Sequence, residues 1–207
     1  MFKSKKFLVS YKLFFALLGF SAVVTEIATL VERGVFDFGN FFSFFTIQIN
    51  ILVFVTFILS ALATVNGKQR RWLDILRSLT TVYILVVGIG FAILLSGLEG
   101  VALTAVPWDN TVLHYIIPAA VFIDFIIDRP KRKINFKTGL LWIIFPILYV
   151  IYSLVRGNLI HWYPYPFLNP TVHGFAPVGV AVFGLLILGI LLIAIITWLT
   201  TQKNIKK

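Results

Sequence analysis

Six polar side chains interrupt stretches that are otherwise apolar: Glu26, Thr46, Gln48, Asn50, His114 and Asp124. A polar group at membrane depth must find a partner or accept a penalty, so such residues point to function. Thr46 offers a hydroxyl and His114 an imidazole that can take its proton, the minimum arrangement for acyl transfer from an ester. Amide donors such as Asn50 or Gln48 could stabilise the oxyanion that forms. Each residue also has an ordinary structural reading. A membrane-helix threonine bonds back to a carbonyl one turn earlier, a histidine ties two helices together, Glu26 pairs helices, and Asp124 is neutralised by a nearby Arg or Lys.

The elements that must position these groups follow from composition. Apolar residues make up 59% of the 207-residue chain and charged residues 13%, against the ~25% charged residues that dress a soluble domain. Six runs approach the ~20 apolar residues needed to cross a bilayer: 7–31, 41–64, 79–98, 111–127, 139–155 and 178–200. They are apolar on every face, so α-helices rather than barrel strands are expected, in one all-α domain spanning residues 1–207.

The net charge of +10 would suggest a nucleic-acid partner in a soluble protein, but here its distribution points to topology. Lys3, Lys5, Lys6 and Lys12 precede or enter the first run. Lys68, Arg70, Arg71 and Arg77 fill the second connection, Arg129, Lys131, Arg132, Lys133 and Lys137 the fourth, and Lys203, Lys206 and Lys207 the tail. Only Arg33 and Arg156 fall in the odd connections, beside Glu32, Asp37, Glu99 and Asp109. This alternation predicts a multi-pass protein of the cell membrane with both termini cytoplasmic, and no nucleic-acid partner. The first run is longer than a signal-peptide core and its loss would break the alternation, so its retention is expected.

In that topology Thr46 and His114 each sit roughly 5 to 8 Å inside the outer boundary at 1.5 Å per residue, with Glu26 in the same layer. Asp124 is roughly 15 Å deeper than His114. Thr46 and Asn50 are one turn apart and share a face, whereas Gln48 points elsewhere. Pro118 cannot donate a helical bond to the carbonyl of His114, which predicts a kink or water site beside the imidazole. His161 and His173 could join His114 and Glu26, but their spacing matches no ligand motif, so neither a metal nor another cofactor is expected. The connection 156–177 carries Trp162, Tyr163, Pro164, Tyr165, Pro166, Phe167 and Leu168. Its prolines predict a structured cap or short re-entrant turn, and its aromatics also suit a membrane interface.

The succession of Phe44, Phe45, Thr46, Ile47, Gln48, Ile49 and Asn50, then His114, Tyr115, Ile116, Ile117 and Pro118, then Tyr165, Pro166, Phe167 and Leu168 resembles the androgen-induced-gene family of six-helix membrane proteins. The resemblance covers most of the chain and implies an intramembrane threonine hydrolase cleaving fatty acid esters of hydroxy fatty acids. It puts the nucleophile on Thr46 and the base on His114, with membrane lipids and a lipid ester as partners. The segment 162–168 would cap the pocket, with Tyr163 or Tyr165 offering a phenol to a substrate carboxylate. The competing expectations are a non-catalytic lipid-binding or transport protein using the same polar layer, and a purely structural membrane partner.

Overall fold

The structure, a computed structural model, describes residues 4–98 and 104–202. Lys3, Glu99, Lys203, Lys206 and Lys207 of the charge pattern lie outside the described residues. The chain is helical, with no strand among the described residues: α1 (Lys5–Glu32), α2 (Phe38–Phe41), α3 (Phe45–Asn66), α4 (Arg71–Leu94), α5 (Pro107–Thr111), a π turn (Val112–Ile116), α6 (Ile117–Ile127), α7 (Phe136–Leu140), a 3₁₀ turn (Leu141–Ile143), α8 (Ile144–Ile160), a second 3₁₀ turn (Pro166–Leu168), α9 (Pro170–His173) and α10 (Phe175–Thr201). Six helical stretches are long and apolar enough to cross a membrane: α1, α3, α4, α5 to α6, α7 to α8, and α10.

Local chemistry sets several boundaries. Ser4 caps α1, Asp37 caps α2 and Asn135 caps α7, each through a side-chain oxygen on an otherwise unpaired N–H. Gly67, at φ 65°, ends α3 in the left-handed conformation that glycine adopts without strain. The third span starts at Arg71, not near 79 as the hydropathy suggested. Asp74 and Arg77 look like connection residues in the sequence, yet both are buried and paired, so the helix runs through them.

α4 is the central element, packing on α3, α6 and α10, while α1 lies along α3. More than half of the apolar windows of α3 and α4 are buried, against 22% for the fifth span and 17% for α10. The last two spans are therefore peripheral. The connections gather at two ends. At the basic end Arg132 reaches Asp74 at 3.3 Å, and Thr200 Oγ1 accepts from the Ile134 N–H at 3.0 Å. There Lys12, fully buried, lies 2.6 Å from Asp124 and 2.8 Å from Asp128, while Arg77 lies 2.8 Å from Asp124. Asp124 is thus neutralised, as expected, by a lysine and an arginine that belong to spans rather than connections. Two cations and two carboxylates cancel in a quartet joining α1, α4 and the end of α6, which is how such charges become tolerable in an apolar bundle.

The fifth span bends. Pro146 cannot donate to the carbonyl of Trp142 one turn earlier, and the Tyr83 hydroxyl on α4 donates to that carbonyl instead. Before the bend, α7 packs on α10 at Gly139, where an added Cβ would stand 2.6 Å from Ile193 Cγ2 and 2.9 Å from Thr197 Cγ2. Beyond it, α8 and α10 hardly touch. α10 meets the fifth span at the basic end, through α7 and the 3₁₀ turn Leu141–Ile143, and meets the segment Pro166–Leu168 at the aromatic end.

Candidate functional site

Thr46 occupies the first turn of α3, where Phe44 supplies no side-chain cap. The first N–H groups of a helix need outside partners, and here the phenol oxygen of Tyr165 accepts from the Thr46 N–H at 3.1 Å. The same oxygen lies 3.1 Å from Thr46 Oγ1. Tyr165 has one proton to give, and Thr46 Oγ1 is the only hydrogen-bond acceptor it has among the described residues. Either hydroxyl can donate in this pair. Burial pushes the Tyr165 phenol up from its ordinary range, partly offset by these bonds from Thr46, so it stays protonated. The expected back-bond from Thr46 to its own helix is replaced by this contact with the connecting segment.

His114 sits within the π turn that precedes Pro118, a local overwinding of the kind that accommodates an irregular hydrogen-bond ladder. Its Nδ1 is 3.1 Å from the carbonyl of Asn110. A carbonyl only accepts, so Nδ1 carries the proton and Nε2 of the neutral ring holds the lone pair. No hydrogen bond reaches Nε2 among the described residues. The imidazole stacks on Phe91 of α4, with ring centres 4.0 Å apart. Gly88 makes this approach possible: an added Cβ would lie 2.9 Å from Pro118 Cβ and 3.2 Å from the His114 carbonyl oxygen.

Asn50 connects the two groups. Its Nδ2 donates to the Thr46 carbonyl at 2.9 Å and to the Leu113 carbonyl at 3.4 Å. Both amide protons are thereby used in tying α3 to the π turn, and only Oδ1, buried and without a partner among the described residues, remains open. Gln48 points away, as its spacing predicted, and donates to the Phe42 carbonyl at 2.8 Å. The Glu26 carboxylate accepts from the Ala105 N–H at 2.9 Å. Tyr163 packs its ring flat on Gly157, where a Cβ would stand 2.1 Å from the ring. It anchors the connection rather than facing the threonine. His161 ends α8 at φ 54° and His173 ends α9; no metal-holding group of His, Cys, Asp and Glu forms among the described residues.

A cavity of about 220 Å³ adjoins Thr46. α4, α8 and α10 form its long walls, Trp142 and Ile193 lie at its end nearest the basic pole, and Tyr165, Phe167 and Leu168 close the aromatic end. The wall is overwhelmingly apolar. Its other hydroxyls are spent, since Tyr149 donates to the Ser43 carbonyl at 2.9 Å and Tyr83 to that of Trp142. The Thr46 and Tyr165 pair is thus the polar edge left for a ligand. His114 does not itself line the cavity, but Phe91, on which it stacks, does. No hydrogen bond joins Thr46 to His114.

Sequence reasoning missed Asp109, read as an acid of the exposed connection. It is fully buried and hydrogen-bonded, side chain to side chain, with Glu26. Its neighbour Asn110 holds His114, a relation visible in the four-residue spacing.

The fold and this site together define an all-helical protein with six helices long and apolar enough to cross a membrane, enclosing an apolar cavity with one polar edge. Compared with known proteins, the chain matches no family model, no curated protein and no solved structure.

Proposed function

We propose that the protein is an intramembrane hydrolase of lipid esters, oriented with its basic end toward the cytoplasm, with Thr46 as nucleophile and His114 as base. The observation that carries this reading is the position of Thr46 at the polar edge of an otherwise apolar cavity, its hydroxyl oriented by Tyr165. An acyl chain in the cavity brings its ester carbonyl to Thr46. Oγ1 attacks the carbonyl carbon, its proton passes to Nε2 of His114, and the tetrahedral oxyanion collapses by expelling the alkoxide, which takes that proton back. Water then releases the fatty acid from the threonine by the same steps. Thr46 stands in the first turn of α3, where the helix dipole favours negative charge. Closure of Thr46 on His114 is left to the substrate complex, since catalytic hydrogen bonds are often long in free enzymes.

A second reading, a lipid-binding or transport protein without chemistry, is favoured by one observation: the Thr46 hydroxyl is bonded to Tyr165 and not to His114. Purified protein presented with a lipid ester separates the two. Hydrolysis that falls about 10²-fold or more in Thr46→Ala and in His114→Ala is the expected result. Wild-type turnover in both variants rejects the hydrolase, and ester binding without product selects the second reading.

A further inference from the structure

The cavity has a shape and an opening that the site chemistry does not explain. The cavity is lined by both α8 and α10, and Ile147 and Ile151 of α8 line it while standing 44% and 53% exposed. They are the rim of a mouth between two membrane spans. A mouth at that level opens onto hydrocarbon, where the available occupant is an acyl chain and water is excluded. Along α10 the lining runs from Val182 to Ile193, about 16 Å at 1.5 Å per residue. The form is long, apolar and polar at one end only, which matches a single acyl chain carrying an ester or carboxyl head.

Gly189 lies within this lining, about 10 Å beyond Val182 toward the basic end. An added Cβ there meets nothing within 4 Å. Its missing side chain is therefore space belonging to the deep half of the cavity. By contrast, Gly139 nearby is needed for helix contact, since its Cβ would collide with Ile193 and Thr197.

We propose that the cleft between α8 and α10 admits one acyl chain sideways from the bilayer, and that Gly189 sets the length of chain the cavity accepts. Placement of the chain's head beside Thr46 rests on the lipid-ester reading above; the depth limit at Gly189 does not. A side chain at Gly189 shortens the cavity from its far end while leaving the polar edge in place, so its effect must grow with chain length.

The test measures displacement of a fluorescent polyene fatty-acid methyl ester from the purified full chain by methyl octanoate, methyl laurate and methyl palmitate. In Gly189→Phe, methyl palmitate should weaken at least tenfold relative to wild type while methyl octanoate shifts less than twofold. Gly184→Phe, on the same helix in open space but outside the cavity, should leave all three unchanged. Should Gly189→Phe not fold, Gly189→Val carries the same test with a smaller graded shift. Equal shifts for the three esters, or none, overturn the proposal. Hydrolysis of the same esters, measured alongside, keeps the two readings apart. Length discrimination with no hydrolysis removes the hydrolase and leaves the depth limit standing, whereas hydrolysis indifferent to Gly189→Phe does the reverse.

Discussion

Replacing Tyr165 by Phe removes one oxygen and almost no volume, and the structure says what that oxygen does. It accepts the Thr46 N–H and lies within hydrogen-bond distance of Thr46 Oγ1, both at 3.1 Å, in a fully buried setting. The variant leaves a buried N–H at the start of α3 unpaired, which costs about 1–3 kcal/mol. For a chain of this size that is a fall in Tm of roughly 2–12 °C. If Thr46 is the nucleophile, loss of its orienting partner also lowers turnover, by up to about 10²-fold for a misplacement near 1 Å. Tyr163→Phe is the matched control, because that residue contributes its ring to Gly157 and its hydroxyl makes no hydrogen bond among the described residues. Thermal unfolding in detergent and ester hydrolysis, run on both variants, check the argument. Indistinguishable melting of Tyr165→Phe and Tyr163→Phe would refute it.

Three further outcomes follow from the packing. Lys12→Met leaves Arg77 as the one ion-pair partner of Asp124 and Asp128 within the quartet and should cost about 3–5 kcal/mol, with part recovered in Lys12→Met/Asp124→Asn; a loss under ~1 kcal/mol in the single variant contradicts a structural quartet. Gly88→Ala should destabilise by about 1–3 kcal/mol through overpacking against Pro118 and the His114 carbonyl, whereas Gly90→Ala, which meets only the flexible end of Leu185 at 3.1 Å, should melt close to wild type. Burial opposes ionisation of Asp128, but Arg77 and Lys12 outweigh it and hold the carboxyl below its ordinary range. Its contribution is therefore complete above the unfolded value of about 3.9 and lost as pH falls through the folded one. Unfolding followed below pH ~4 should show Asp128→Asn losing less stability on acidification than wild type.

The six helices were legible because a bilayer demands long apolar runs, and such runs survive any error about which face packs where. Layering was legible for the same reason: the ties among Asn110, Leu113, Thr46 and Asn50 do put His114 and Thr46 at one end of the bundle, and the four-residue spacing of Thr46 and Asn50 is realised as a bond. What could not be read is rotation and long-range contact. Tyr165 is a candidate in sequence only beside Tyr163 and with a substrate carboxylate as its partner, and only the path of the proline-broken connection carries its hydroxyl to Thr46 at the start of α3. Lys12 and Arg77 look like flanking charges because hydropathy counts each residue alone, while the fold pairs them across three spans.

The distribution of polar ties gives the two ends of the bundle different mechanical characters. At the basic end α10 is fixed by Thr200 against Ile134 and by contact with Gly139, above a charge quartet that resists any rearrangement exposing an unpaired ion. At the aromatic end α8 is fixed as well: Tyr149 donates to Ser43, Arg156 donates to Asn40 at 2.8 Å, and the Arg156 guanidinium lies over the Trp162 ring. α10 has no polar tie to another span there among the described residues, and it is the least buried of the six. Widening the mouth by moving α8 would break these two hydrogen bonds, each about 1 kcal/mol net, and the ring contact with them. Moving α10 about its crossing at Gly139 breaks none and exchanges apolar contacts for lipid. Any widening of the cleft therefore falls to α10, at the end where Thr46 meets the cavity.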